Sequence, residues 1–267
     1  MRIRTARRLA PLAPAVRGVS SQDFTQPRPR PADTGAMIDW IFRPQCVACG
    51  APAVTLCSAC SASLVELGPA CPRCAEPTGE HAALCPRCDA RPLPLDRVVA
   101  PWRFGGQLAS AIRRLKFANR AHIARDVAPL WAPVLAAAVT ERGAVAERGA
   151  IVVPVPLHWR RRLVRGYDHA WLLAHHACAF AGIAAPVAAL RRTRHAPAQS
   201  TLPAARRADN VQGAFAATGS LAGRAVVLVD DVMTTGATLA AAARPLRDAG
   251  ATAITAIVLA RATSARG

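Results

Sequence analysis

Residues 224–239, RAVVLVDDVMTTGATL, decide how the rest of the chain is read. The unbroken apolar run through Val229 predicts a buried strand over 224–231. Asp230 and Asp231 stand at its carboxyl end. Small and hydroxylated residues follow, and a helix is expected over 236–250, kinked at Pro245. A strand that brings acids to the sheet edge and turns at once into a helix is where open α/β sheets hold ligands. The turn offers main-chain N–H groups, the Ala237 backbone, and the hydroxyls of Thr234, Thr235 and Thr238. Gly236 lets the backbone approach closely, and the helix start adds its positive dipole end. Together these make a monophosphate cradle. The spacing does not fit G-x-x-x-x-G-K-[ST], which excludes a nucleoside-triphosphatase loop. Asp230 and Asp231 are placed to accept hydrogen bonds from a ribose diol. Carboxylates so close repel each other without a polyol or cation between them.

Outward from this stretch, residues 93–267 alternate strand and helix signals. Strands are expected at 97–104, 151–156 and 252–260, and helices at 106–118, 121–139 and 168–182. In the helix over 106–118 the apolar positions 108, 111, 112 and 115 have helical spacing. Such alternation predicts an α/β fold, a mostly parallel sheet flanked by helices. Cys178 lies in an apolar helical stretch and reads as a core residue.

Ahead of this domain, residues 37–92 hold eight of the nine cysteines as four C-x-x-C units: Cys46/Cys49, Cys57/Cys60, Cys71/Cys74 and Cys85/Cys88. Each unit aims two thiolates at one point, and two units complete a tetrahedral S₄ shell. A small Cys-rich double zinc ribbon with two structural zinc ions is expected. Consecutive pairing of the units is favoured over a cross-braced order, because the halves look like duplicates of one ribbon. A disulfide framework would need an oxidising compartment, and no convincing secretion signal is present, so a cytoplasmic location is expected.

Residues 1–36 are rich in Arg, Pro and Ser, and a disordered basic tail is expected there. Met37 offers an alternative translation start. The chain carries 34 Lys+Arg against 16 Asp+Glu, a formal charge of +18, and Lys116 is its single lysine. Residues 93–267 hold 23 of those cations against nine acids, so any attraction to a polyanion lies there. No apolar run long enough to predict a membrane span is found. Among the scattered histidines, His169 included, no pair has the flanking acids of a metal or triad site, and they read as residues without a site role.

The run VVLVDDVMTTGAT resembles the PRPP-binding motif of type I phosphoribosyltransferases. With the C-x-x-C units ahead of it, the chain from about residue 37 resembles the ComF/GntX family, a double zinc ribbon joined to a type I phosphoribosyltransferase-like domain. Val153-Pro154-Val155-Pro156 followed by Arg165-Gly166-Tyr167-Asp168-His169-Ala170 is similar to the family's P-V-P and R-G-[FY]-N-Q-A. Asp168 and His169 depart from it. Leu115-Lys116-Phe117 resembles an L-K-[FY] segment. Leu190 to Ser200, with Arg207, Asn210 and Ala214-Phe215, resembles a mobile loop.

The resemblance implies PRPP or a related phosphorylated ribose as ligand, with its 5′-phosphate on residues 234–238. Asp230 and Asp231 would hold the ribose hydroxyls, directly or through Mg²⁺. Arg162, Arg165 and Gly166 would face the pyrophosphate. If transfer occurs, Asp230, Asp231 and Arg165 form the catalytic set. Thr234 stands where purine-salvage relatives carry an acid, so a hypoxanthine or guanine enzyme is not expected, and no base-binding hood is recognised. The family also implies a role in DNA uptake, with single-stranded DNA and competence proteins as partners. Two further readings remain open: an active phosphoribosyltransferase with an unknown acceptor, and a ribbon that docks a partner while the other domain senses ligand.

Overall fold

The computed structural model describes residues 45–52, 56–81, 83–117, 120–143, 146–194 and 213–263. The expected tail over 1–36 and most of the expected mobile loop, residues 195–212, lie outside them.

The central sheet has five strands, all parallel. β1 (Arg97–Val99) and β2 (Trp102–Arg103) pair with successive stretches of β7 (Ala253–Arg261). β7 pairs with β6 (Ala225–Met233), and β6 with β3 (Ala150–Pro154), giving the order β1-β7-β6-β3. The two central strands are apolar almost throughout because helices cover both faces, as parallel sheets require.

Alternation along β6 and β7 sorts their side chains between two cores. Val227, Val229, Ile257 and Leu259 join the core under α3 (Gly106–Phe117), α4 (His122–Gly143) and α6 (His169–Ala181). Val226, Leu228, Ile254, Ala256 and Val258 join the core under α7 (Ala237–Asp248). α7 runs past Pro245 to Asp248. Cys178 is fully buried, as expected. α4 is long and apolar enough over His122–Arg142 to cross a membrane by composition alone. Half of that window is buried, with Ala124, Trp131, Ala132 and Leu135 wholly enclosed, which is how a core helix behaves.

Three elements of residues 93–267 have no counterpart in the sequence reading. α5 (Trp159–Arg165) buries none of its residues, so no apolar period marks it. β4 (Leu190–Arg192) and β5 (Phe215–Ala217) form a separate antiparallel pair flanking residues 195–212.

Among its described residues the cysteine-rich segment has two short helices, α1 (Ser58–Ala62) and α2 (Pro86–Ala90). It is stitched to the first strands by Leu67 N–H to the Pro101 carbonyl (2.9 Å), Val98 N–H to Pro72 (2.8 Å) and Arg103 N–H to Val65 (2.8 Å). Its two halves pack against opposite cores: Cys46 and Cys60 join the α3/α4/α6 side, and Cys71, Cys74, Cys85 and Cys88 the α7 side.

Candidate functional site

The acid pair sits on a strand, so its two members must face opposite ways. β6 runs to Met233, two residues past its expected end, and this carries the alternation through both acids. Asp230 faces a shallow polar hollow also lined by Thr234, Gly236, Ala237 and Thr238. Asp231 is only 3% exposed and lies on the α3/α6 side. Its Oδ2 is 2.5 Å from Lys116 Nζ, at the end of α3, and 3.4 Å from His169 Nε2, at the start of α6. Its Oδ1 accepts from the Val232 amide at 2.7 Å. The sequence reading gave both carboxylates to one diol; the structure opens one to the hollow and places the other in an internal ion pair.

The electrostatics follow from this split. Burial, and then the neighbouring Asp231 charge, pushes the Asp230 carboxyl up to about 8, with Lys116 only partly offsetting them. Burial also pushes Asp231 upward, but Lys116 and His169 outweigh it and hold that carboxyl below its ordinary value. Burial lowers His169 despite Asp231, which keeps its imidazole neutral at pH 7. Asp230 is therefore the unneutralised acid, and a polyol or cation in the hollow would relieve it.

The turn itself is held open by its glycine. Gly236 caps α7 with φ +82°, a left-handed conformation that favours glycine. A Cβ there would meet Met233 Cε at 2.5 Å and Leu93 Cδ1 at 3.1 Å. Thr235 Oγ1 accepts from the Ala237 amide at 3.3 Å, so it shapes the turn and does not line the hollow. Among the described residues nothing accepts from the N–H groups of Thr235 or Gly236. An anion in the hollow would meet main-chain donors and the helix start.

The loop after β3 distributes its residues differently from the sequence reading. Asp168 caps α6, its Oδ1 accepting from Ala170 (3.1 Å) and Trp171 (3.3 Å), and its Oδ2 accepting from the Leu157 amide (2.7 Å). Its charge is thus spent on main-chain donors. Gly166 ends α5 with φ +77°. Arg162 is exposed, while Arg161 and Arg165 are half-buried one turn apart. Arg165 Nη1 lies 3.4 Å from His169 Nδ1.

Arg192, within the stretch that resembles a mobile loop, and His169, read from sequence as having no site role, both come to the site. Arg192, on β4, stacks over Phe215 at 5.2 Å. Its Nε is buried with no hydrogen-bond partner among the described residues. Burial lowers its pKa, and the charges of Arg161, Asp230 and Asp168 act on it. His169, Asp230 and Asp231 could each bring a ligand atom within 4.8 Å of the others. The signal that could have found the split was available: period-two alternation in a strand already recognised.

The eight cysteines gather as two quartets, Cys46/Cys49/Cys57/Cys60 and Cys71/Cys74/Cys85/Cys88, each with its sulfurs within 4.8 Å of one another. This is the consecutive order. Cys49 and Cys57 sulfurs are 3.7 Å apart and Cys74 and Cys85 sulfurs 3.5 Å. A tetrahedral zinc shell with bonds of about 2.3 Å separates sulfurs by about 3.8 Å, whereas a disulfide would bring them to about 2 Å. Both sites fit structural zinc with no open coordination position.

Comparison with known proteins agrees with this geometry. Residues 37–89 match the double zinc ribbon domain, and residues 172–267 match the phosphoribosyl transferase domain. DNA utilization protein YhgH of Escherichia coli K12 is 34% identical over 200 residues, covering 74% of this chain and 87% of that protein. The Salmonella typhi protein of the same name is 32% identical over the same shares. Competence protein F of Haemophilus influenzae is 32% identical over 210 residues, covering 78% of this chain and 90% of that protein.

Proposed function

Because this chain, a double zinc ribbon followed by a phosphoribosyltransferase domain, belongs to the family of YhgH and competence protein F, we propose that it binds PRPP or a related phosphorylated ribose and assists the handling of incoming DNA in the cytoplasm. The observation that carries the ligand reading is the hollow at the end of β6. It combines turn amides without an acceptor among the described residues, a helix start and a carboxyl pushed up to about 8 that a polyol or cation would ionise. The amides suit a terminal phosphate, and Asp230 suits a ribose hydroxyl. Mg²⁺ arriving with PRPP would rest on Asp230 and the ligand's own oxygens, since Lys116 already neutralises Asp231. There it would supply charge neutralisation of the diphosphate. The DNA role is supported by the relatives' names and by the basic excess over residues 93–267.

Calorimetric titration with PRPP and with ribose 5-phosphate, each with and without Mg²⁺, tests the ligand reading. Asp230→Asn should weaken binding by about tenfold or more, the scale of a lost hydrogen bond to a charged group. Equal affinity in the two proteins would remove Asp230 from the ligand. Because the hollow's carboxyl rests near 8 when empty and must ionise to serve a diol or cation, affinity should fall as pH drops below 8. An Asp231 variant reports on the Lys116 pair as well as on any diol, so it is the weaker probe. Pyrophosphate release with a panel of nucleobases separates turnover from binding alone.

A further inference from the structure

Helix α5 is exposed where helices of this size are ordinarily packed. Trp159 is 57% exposed, Leu163 73% and Val164 88%, and no residue of the helix is buried. The segment 159–165, WRRRLVR, has four arginines and no acid. At 100° per residue, Arg161 and Arg165 share the half-buried face, toward Arg192 and His169. The remaining five spread around the exposed face in the order Arg162, Trp159, Leu163, Arg160, Val164. Arg160 thus interrupts the apolar arc between Leu163 and Val164, and the Trp159–Leu163 pair is flanked by the guanidiniums of Arg162 and Arg160. Arg160 is already stacked on the Trp159 ring at 5.3 Å, with His158 at 5.6 Å in front of it.

This interleaving selects among partners. A helix lying in a lipid interface separates a continuous apolar stripe from a charged one, and α5 does not. A single strand of nucleic acid needs an aromatic face for a base and cations close on either side for the flanking phosphates. We propose that the exposed face of α5 is a contact surface for single-stranded DNA, with a base stacked on Trp159 and phosphates on Arg160 and Arg162. This rests on the DNA-handling reading above and gives it a location.

The test is fluorescence anisotropy with a labelled 15-nucleotide oligo-dT, run on the full chain at several salt concentrations. Trp159→Ala should weaken binding by about tenfold or more, and Trp159→Phe should restore most of it. The double variant Arg160→Gln/Arg162→Gln should reduce the slope of log affinity against log salt by about 1.4. All three positions are exposed, so the fold should persist, checked by an unchanged circular dichroism spectrum and an unchanged zinc content. If wild-type protein binds the oligonucleotide and these variants bind it equally well, the placement on α5 is overturned while the DNA-handling reading stands. If wild-type protein fails to bind it, both fall. Oligonucleotide binding abolished by anionic phosphatidylglycerol vesicles but unaffected by Trp159→Phe and Trp159→Ala alike would also overturn the placement.

Discussion

The two faces of the central sheet hold the same inventory, one cysteine quartet and one aspartate from the end of β6, and expose opposite members of it. On the α7 face all four cysteines, Cys71, Cys74, Cys85 and Cys88, are buried, while Asp230 opens to the hollow. On the α3/α4/α6 face Cys49 is exposed and Cys57 half-buried, while Asp231 is sealed against Lys116 and His169. The difference is one of attachment. Arg261, at the end of β7, donates to the Cys74 carbonyl (3.0 Å), the Met233 carbonyl (3.2 Å) and the Glu76 carboxylate (2.6 Å). The second quartet is thereby fixed to the end of β6, just ahead of the turn at Gly236, and Leu93 lies beside that turn. The first quartet is tied to the body by a 3.5 Å bond from Arg114 to the Val47 carbonyl and by Cys46 and Cys60, which pack into the α3/α4/α6 core. Identical ligand chemistry thus builds a wholly buried site on one side and a partly exposed one on the other.

The largest expected effect tests that asymmetry. Cys74→Ser should lower the melting temperature by about 10 °C or more, because metal binding at a buried site is folding free energy. Cys49→Ser should lower it by only about 2–4 °C while zinc content drops from two ions per chain to one. Equal losses in a thermal scan would erase the distinction. The same asymmetry should appear under a chelator as two release phases of one ion each, read with a metallochromic dye.

Next in size is the sealed acid. Lys116→Met leaves Asp231 buried and unpaired and should cost about 2–4 kcal/mol in urea unfolding. Adding Asp231→Asn to it should recover most of that loss. A double variant no better than the single would show that Lys116 acts through packing and not through the pair.

The smallest effect has the opposite sign. Asp230 titrates near 8 in the folded protein and near 4 unfolded, so between those values the unfolded chain holds fewer protons. Stability from this group falls as pH rises from 4 to 8 and is level above. Asp230→Asn should leave the melting temperature unchanged at pH 4 and raise it by a few degrees at pH 8. A rise of the same size at both values would contradict a poised, unneutralised carboxyl.

Much of this arrangement was legible in the sequence. The run ending in Asp230 and Asp231, the turn at Gly236 and the four C-x-x-C units are local signals, and each maps onto one element or one quartet. What local signals could not supply was company. Lys116 meets Asp231 from a helix over a hundred residues upstream, and His169 joins them from a third element. The role of Asp168 is fixed by the amides of α6 and Leu157, which a charge count cannot foresee. α5 escaped because a helix that buries nothing has no apolar period, and β4 and β5 because three-residue strands are defined by their partners. Period-two alternation along β6 puts Asp230 at the hollow and Asp231 beside Lys116, while both stay within ligating reach of each other and of His169.

The Arg261 clamp also sets an order of events in time. Its guanidinium closes on the Cys74 carbonyl, 187 positions earlier in the chain. A ribosome releases the cysteines long before that arginine, and β1 likewise waits for β7. The inner quartet is therefore made early and locked last. Throughout synthesis its thiols depend on metal capture alone, and truncation ahead of residue 261 would leave that knuckle unlatched.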